Sequence, residues 1–245
     1  MKFNVASLFA GVGGICLGFK RAGCKILWAN EIDVNACKTY RLNHKDIKLI
    51  EDSILNLTPS TLSKIDILTA GFPCQPFSQA GHGKGFDDER GKLFFEIPKL
   101  LKKLQPQAYF LENVKTLYSH NDGKSFAKVR NEMRDAGYSF IPFILNAAKY
   151  SNIPQGRERI YIVGFKGEQE YFFTKPIKVN FIPNFGQKTL SANFQIPREV
   201  KLNKRVRDFL QNDEVLQNDI YCDKSNGIHR KVREIAKNLD TVYQY

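Results

Sequence analysis

The chain has 245 residues, 42% hydrophobic and 25% charged, proportions ordinary for one folded α/β domain with or without an appendage. Lys and Arg number 37 against 25 Asp and Glu; the net charge of +12 either serves solubility alone or marks a polyanionic partner, most simply nucleic acid. Five cysteines without a CxxC pair and four scattered histidines argue against a metal site, and no apolar run approaches a membrane span.

The opening "MKFNVASLFAG" is too short an apolar run for a signal peptide and reads as a first strand over 4–10, which implies a reduced, cytoplasmic protein. "KILWANE" (25–31), "IDILTAG" (65–71), "AYFLEN" (108–113) and "RIYIVGF" (159–165) read as further buried strands, and "IKLI" (47–50) is strand-like. Apolar spacing predicts helices over 14–22, 33–43, 92–104 and 122–136, the last starting at Asn121 or Asp122. Strands alternating with helices imply right-handed crossovers and an α/β fold, a Rossmann-like, mainly parallel sheet flanked by helices. Ligands then sit at the carboxyl ends of the strands. Beyond Phe165 the periodicity weakens. Residues 1–165 read as one domain and 166–245 as a short irregular extension with two amphipathic helices, at 203–217 and 228–238.

The first strand runs into "FAGVGG", Phe9 to Gly14, and then into the first helix. Gly11 and Gly13 permit a sharp turn and close approach of the backbone to a ligand. The sixth position of a GxGxxG pattern is Cys16, so a pyrophosphate cradle is not specified. Glu31 ends the second strand 20 residues beyond Gly11, where an acidic residue takes ribose hydroxyls. Asp52 follows "IKLI", placed to accept from an adenine amine. The set predicts an adenosine-type cofactor, with or without phosphates; a nicotinamide-dependent dehydrogenase would use the same loop and Glu31.

A second group is expected at the same carboxyl edge. "GFPCQPFS" sets Cys74 between two prolines just after the strand at 65–71, which suits a shaped loop holding one sulfur. Glu112 ends the strand beginning near Ala108, and Arg157 and Arg159 lie two apart in "QGRERIYIVGF". A thiolate, a carboxylic acid and an arginine pair imply nucleophilic catalysis on an electrophilic, oxygen-bearing ring. Each residue alone also fits a structural or surface role.

"FAGVGGICLGFKRAG", "GFPCQPFSQAG", "RGKLFFEI", "LENV" and "QGRERIYIVGF" resemble, in order, the motifs of C5-cytosine DNA methyltransferases. The resemblance implies the class I S-adenosylmethionine-dependent methyltransferase fold, S-adenosylmethionine as cofactor, and double-stranded DNA with a flipped cytosine as substrate. It implies that Cys74 adds to carbon 6 of cytosine, Glu112 donates to N3, Arg159 holds O2 and Arg157 supports it. For the cofactor it implies Phe9 near the adenine, Glu31 on the ribose and Asp52 on the adenine amine, with Pro73 and Leu93 lining the pocket. Ile32 departs from the aromatic often found there in relatives. "GHGKGF" (81–86) resembles a mobile loop that closes over the flipped base.

No "GNSV"-like string follows Phe165, and the chain stops at "LDTVYQY". The expectation is the catalytic part of a split enzyme, complemented by a second subunit carrying a target-recognition region and the closing motif. A truncated, inactive remnant that binds cofactor or nucleic acid, and an RNA cytosine-5 methyltransferase, are the alternatives.

Overall fold

A computed structural model describes residues 2–73, 89–168, 173–176, 197–205 and 208. The chain divides into two compact units, Met1–Ile144 with Arg159–Phe194, and Leu145–Glu158 with Gln195–Tyr245.

The first unit is built on β1 (Asn4–Leu8), β2 (Lys25–Glu31), β3 (Lys48–Glu51), β4 (Ile67–Ala70), β5 (Ala108–Val114) and β7 (Glu158–Phe165). With β6 (Ile141–Asn146) these form one sheet in the order β3-β2-β1-β4-β5-β7-β6. The pairs β1–β2, β1–β4, β2–β3 and β4–β5 are parallel, whereas β5–β7 is antiparallel. The connections are α1 (Gly14–Arg21) and α2 (Val34–Asn43) between β1 and β3, then α3 (Glu89–Lys92) and α4 (Glu96–Leu104) before β5. Helix α5 (Lys124–Asp135) joins β5 to β6.

Period-2 alternation gives the sheet two apolar faces. Val5, Ile26 and Ala29 pack with Cys16 and Tyr40 of α1 and α2. Leu8, Leu68 and Leu111 belong to the larger core with Ile97 and Leu101 of α4 and Phe126 and Val129 of α5. The sheet is therefore wound in both directions from its centre. The connections of β1 and β4 leave on opposite sides, and that switch point is where doubly wound sheets open a crevice for a ligand.

Three local expectations change. The helix expected from Asn121 or Asp122 starts at Lys124, because Asn121, Asp122 and Gly123 are all left-handed, with φ of 51°, 52° and 79°; a right-handed helix cannot run through them. The stretch at 92–104 opens with a 3-10 turn, Leu93–Phe95, before α4. Pro98, third in α4, removes an N–H that has no intrahelical acceptor there anyway. Strand β6 was not expected, since Pro142 interrupts its apolar run. It lies at the end of the strand order, and an edge strand tolerates a missing ladder donor.

Gly164 in β7 has no room for a side chain: a Cβ there would overlap the Ser139 carbonyl oxygen and the Tyr109 ring. Because one of these neighbours is backbone, Gly164→Ala is expected to destabilise the fold by about 1–3 kcal/mol. Urea unfolding of both proteins measures it, and an unchanged midpoint would count against the packing described.

In the second unit α6 (Ala147–Tyr150) is capped by Asn146, whose side-chain oxygen accepts from Ala148 N at 3.0 Å. Val200 N donates to Lys149 O at 2.7 Å, and Asn152 Nδ2 donates to Asn203 Oδ1 at 2.6 Å. Beyond Arg205, apart from Asp208, the helices expected at 203–217 and 228–238 lie outside the described residues. No helix among the described residues is long and apolar enough to cross a membrane.

Candidate active site

The end of β1 is a run of left-handed residues: Phe9 at φ 51°, Gly11 at 55° and Gly13 at 93°. A phenylalanine in that region is strained, and such strain gathers at ligand sites. Hydrogen bonds hold the loop. Ala10 N donates to Asn30 O at 3.0 Å, Gly13 N to Ala10 O at 2.9 Å, and Gly11 N to Glu31 Oε2 at 2.7 Å.

Glu31 does more than face a ligand. Its Oε1 also accepts from Ile32 N and Asp33 N at 2.8 and 2.9 Å, so the carboxylate ties the ends of β1 and β2 together. Two carboxylate oxygens offer about four lone-pair sites, and three are taken, which leaves room for a hydroxyl donor. Asn30, 2% exposed, donates from Nδ2 to Ile50 O at 3.1 Å and Asp52 O at 2.7 Å, fixing the turn after β3. Asp52 Oδ1 accepts from Ser53 N and Asn56 Nδ2. Ile32 is 66% exposed beside them, an apolar surface at the lip of the crevice.

The second group forms where β4 and β5 end. A Cβ placed on Gly71 would stand 3.5 Å from Ile15 Cδ1, 3.7 Å from Glu112 Oε2 and 3.9 Å from Phe9 O. The glycine loop, the first turn of α1, the exit of β4 and the Glu112 carboxylate thus meet at one point. Arg159 Nε donates to Glu112 Oε1 at 3.2 Å, and both side chains are largely buried. Glu112 lies opposite Tyr161 and Val114 opposite Arg159, so Glu112 and Arg159 are diagonal neighbours on one face. The antiparallel sense of β7 makes this pair possible, because it brings the start of that strand to the carboxyl end of β5.

Asn113, on the opposite face and 1% exposed, donates from Nδ2 to Phe72 O at 3.1 Å. It anchors the segment leaving β4 just before Pro73. Within "LENV" the sequence alone assigns no role to Asn113; an amide at the end of an apolar strand is the available signal, as it is for Asn30. Leu93 is partly buried against the main core. Arg157 precedes β7 and belongs to the second unit, where its carbonyl accepts from Ala147 N at 2.9 Å. Cys74 and the segment 81–86 lie outside the described residues. Burial pushes the Cys16, Cys24 and Cys37 thiols up, away from the thiolate.

The fold and site define a doubly wound α/β protein of the class I S-adenosylmethionine methyltransferase architecture. The family model for C-5 cytosine-specific DNA methylase matches residues 3–243, and the chain belongs to that family. It is 38% identical over 245 residues to the Type II methyltransferase M.Bsp6I of Bacillus sp. (strain RFL6), covering 99% of this chain and 71% of that protein. It is 45% identical over 176 residues to M.HaeII of Haemophilus aegyptius, covering 72% of this chain and 54% of the relative. In fold it is similar to the methyltransferase EhMeth of Entamoeba histolytica, with TM-score 0.67 and 19% identity over 95% of this chain and 66% of that one. The chain thus spans 71% of the Bacillus relative and about half of the Haemophilus one.

S-adenosylmethionine is the cofactor of the family, and the residues present fit it. The loop from Phe9 to Ile15 carries no lysine or arginine for a phosphate. Instead, Glu31 and Asp52 offer acceptors to hydroxyl and amine donors, and Ile32 an apolar face to a base.

Proposed function

We propose that the chain methylates carbon 5 of a cytosine flipped out of double-stranded DNA, with Cys74 as nucleophile and Glu112, Arg159 and Arg157 as its assistants. The meeting of Glu112, Arg159, Phe9 and Gly71 at the switch point carries the reading, since Cys74 follows Gly71 by three residues. S-adenosylmethionine, when bound, supplies an electrophilic methyl group. The Cys74 thiolate forms a bond to carbon 6, and Glu112 gives a proton to N3 as the ring becomes an enamine. Arg159 donates to O2, with Arg157 in support. The methyl group that S-adenosylmethionine would supply goes to carbon 5 as its bond to sulfur breaks and S-adenosylhomocysteine is left; carbon 5 then loses its proton to solvent. The ring double bond re-forms, the sulfur–carbon 6 bond breaks, and the N3 proton returns to Glu112. Phe9, Gly11, Gly13, Glu31, Ile32, Asp52, Pro73 and Leu93 form the cofactor side of the same crevice.

The net charge of +12 suits a polyphosphate substrate, and binding should weaken steeply with salt. A DNA substrate fits the cytoplasmic location expected from the sequence. Residues 1–165 carry the five motifs that resemble the family's and are read as the catalytic domain, with 166–245 the extension toward target recognition. The part of the relatives that the chain does not match would be supplied by further polypeptide, in the same chain or in a second subunit.

The test is covalent trapping on duplex DNA containing 5-fluorocytosine, with S-adenosylmethionine present. The fluorine cannot leave as a proton does, so Cys74 stays attached. The chain is assayed alone and with the part of the Bacillus relative that it does not match added. An adduct is expected in at least one arm, and Cys74→Ser should abolish it while S-adenosylhomocysteine still binds. Cofactor binding without an adduct in either arm overturns the catalytic reading in favour of a remnant that binds only.

A further inference from the structure

His44 closes α2 as its C-terminal cap, with its backbone N–H donating to Tyr40 O at 2.8 Å. Its side chain is turned inward and only 4% exposed. The imidazole stacks on the Tyr40 ring, centroids 4.5 Å apart and 36° between planes. Nδ1 has no hydrogen-bond partner among the described residues. A buried polar atom without a partner costs stability, so something other than that nitrogen must account for an aromatic ring here.

The ring lies directly under the cofactor loop. A Cβ built on Gly13 would overlap the His44 imidazole at Nε2 and Cδ2 and would also crowd Tyr40 Cδ2. Gly13 is the left-handed residue, φ 93° and ψ 22°, that turns the loop into α1, and no side chain caps that helix. Tyr40 in turn donates its hydroxyl to Cys16 Sγ at 3.2 Å, inside the first turn of α1. The end of α2 therefore grips the start of α1 at two points. One is a hydrogen bond to Cys16; the other is a flat ring pressed against the backbone of Gly13.

We propose that His44 is a positioning residue for the cofactor: its ring is a wedge that fixes the turn at Gly13. That turn sets the direction of the Gly11 N–H toward Glu31, two residues upstream. The ring acts by its shape against the Gly13 backbone. The inference rests on the cofactor reading given above.

The experiment measures S-adenosylhomocysteine affinity by titration calorimetry on the full chain, with thermal melting recorded for each variant. His44→Ala is expected to weaken binding about tenfold, an estimate at the scale of one ordinary contact. His44→Phe, which keeps a flat ring, should restore affinity to within about threefold of wild type on the same scale. His44→Leu fills the buried volume without a flat ring and should remain weak even where its melting temperature matches wild type. Gly13→Ala should abolish measurable binding in the native background. In the His44→Ala background the same change should cost at least about tenfold less, because the imidazole beneath is gone and only the Tyr40 contact and the φ strain remain.

Wild-type binding with an unaffected His44→Leu, or with equal Gly13→Ala costs in both backgrounds, overturns the wedge alone. A wild-type chain that does not bind S-adenosylhomocysteine overturns the cofactor reading, and the wedge with it.

Discussion

Glu112→Gln is expected to lower the rate of methyl transfer by about 10²–10⁴-fold, the range usual for removing a positioned general acid. The substitution keeps the shape of the side chain and an oxygen to accept from Arg159 Nε, which lies 3.2 Å from Glu112 Oε1. It removes only the proton that the carboxyl group would give to N3. S-adenosylhomocysteine affinity should stay within about twofold of wild type, well under the 1.4 kcal/mol of a tenfold change, because the proposed cofactor contacts run through Glu31 and Asp52 instead. Arg159 keeps a partner, so the melting temperature should move little. Single-turnover methylation of a duplex, set beside calorimetric binding, separates the two effects. A rate within tenfold of wild type would remove Glu112 from the proton inventory and leave it a structural partner of Arg159.

The largest effect on stability is expected at Phe94. Its ring is fully buried, 5.2 Å from the Phe72 ring and 5.5 Å from that of Phe95. Truncation to alanine both returns apolar surface to water in the unfolded comparison and leaves a cavity the close-packed core cannot fill. The expected cost is about 3–5 kcal/mol for Phe94→Ala and under about 1.5 kcal/mol for Phe94→Leu. Urea unfolding gives both numbers, and a loss below about 1 kcal/mol for the alanine variant would contradict this packing. The site should feel the change as well. Phe72 is held on one side by Phe94 and on the other by the bond from Asn113 to its carbonyl. It stands two residues before Cys74, the proposed nucleophile, so Phe94→Ala should also slow methyl transfer.

The strands that were readable in the sequence are those with local signals that agree with their surroundings. "KILWANE" was bounded to the residue, and "AYFLEN" and "RIYIVGF" each fell within one residue of β5 and β7. Strand β6 escaped because Pro142 speaks against a strand, and only its place at the sheet edge makes the proline harmless. The start of α5 escaped because three consecutive left-handed residues leave no periodic trace. Asn30, Asn113 and His44 were passed over for a common reason. Each acts on a partner more than 20 residues away, apart from the shorter stack of His44 on Tyr40, and nothing in local composition names a distant acceptor.

By itself the sequence determined the family. "FAGVGG", "GFPCQPFS", "LENV" and "QGRERIYIVGF" occur in the order that resembles C5-cytosine DNA methyltransferases, and the family model matches residues 3–243. The sequence also determined the alternation of strand and helix, because hydrophobic period is a local property. Tertiary structure alone decided that β7 runs against β5. An apolar alternation reads the same in either direction, and a parallel β7 would have carried Arg159 to the far edge of the sheet. Backbone pairing across 45 residues, Val114 opposite Arg159, sets the direction and so brings the guanidinium to Glu112.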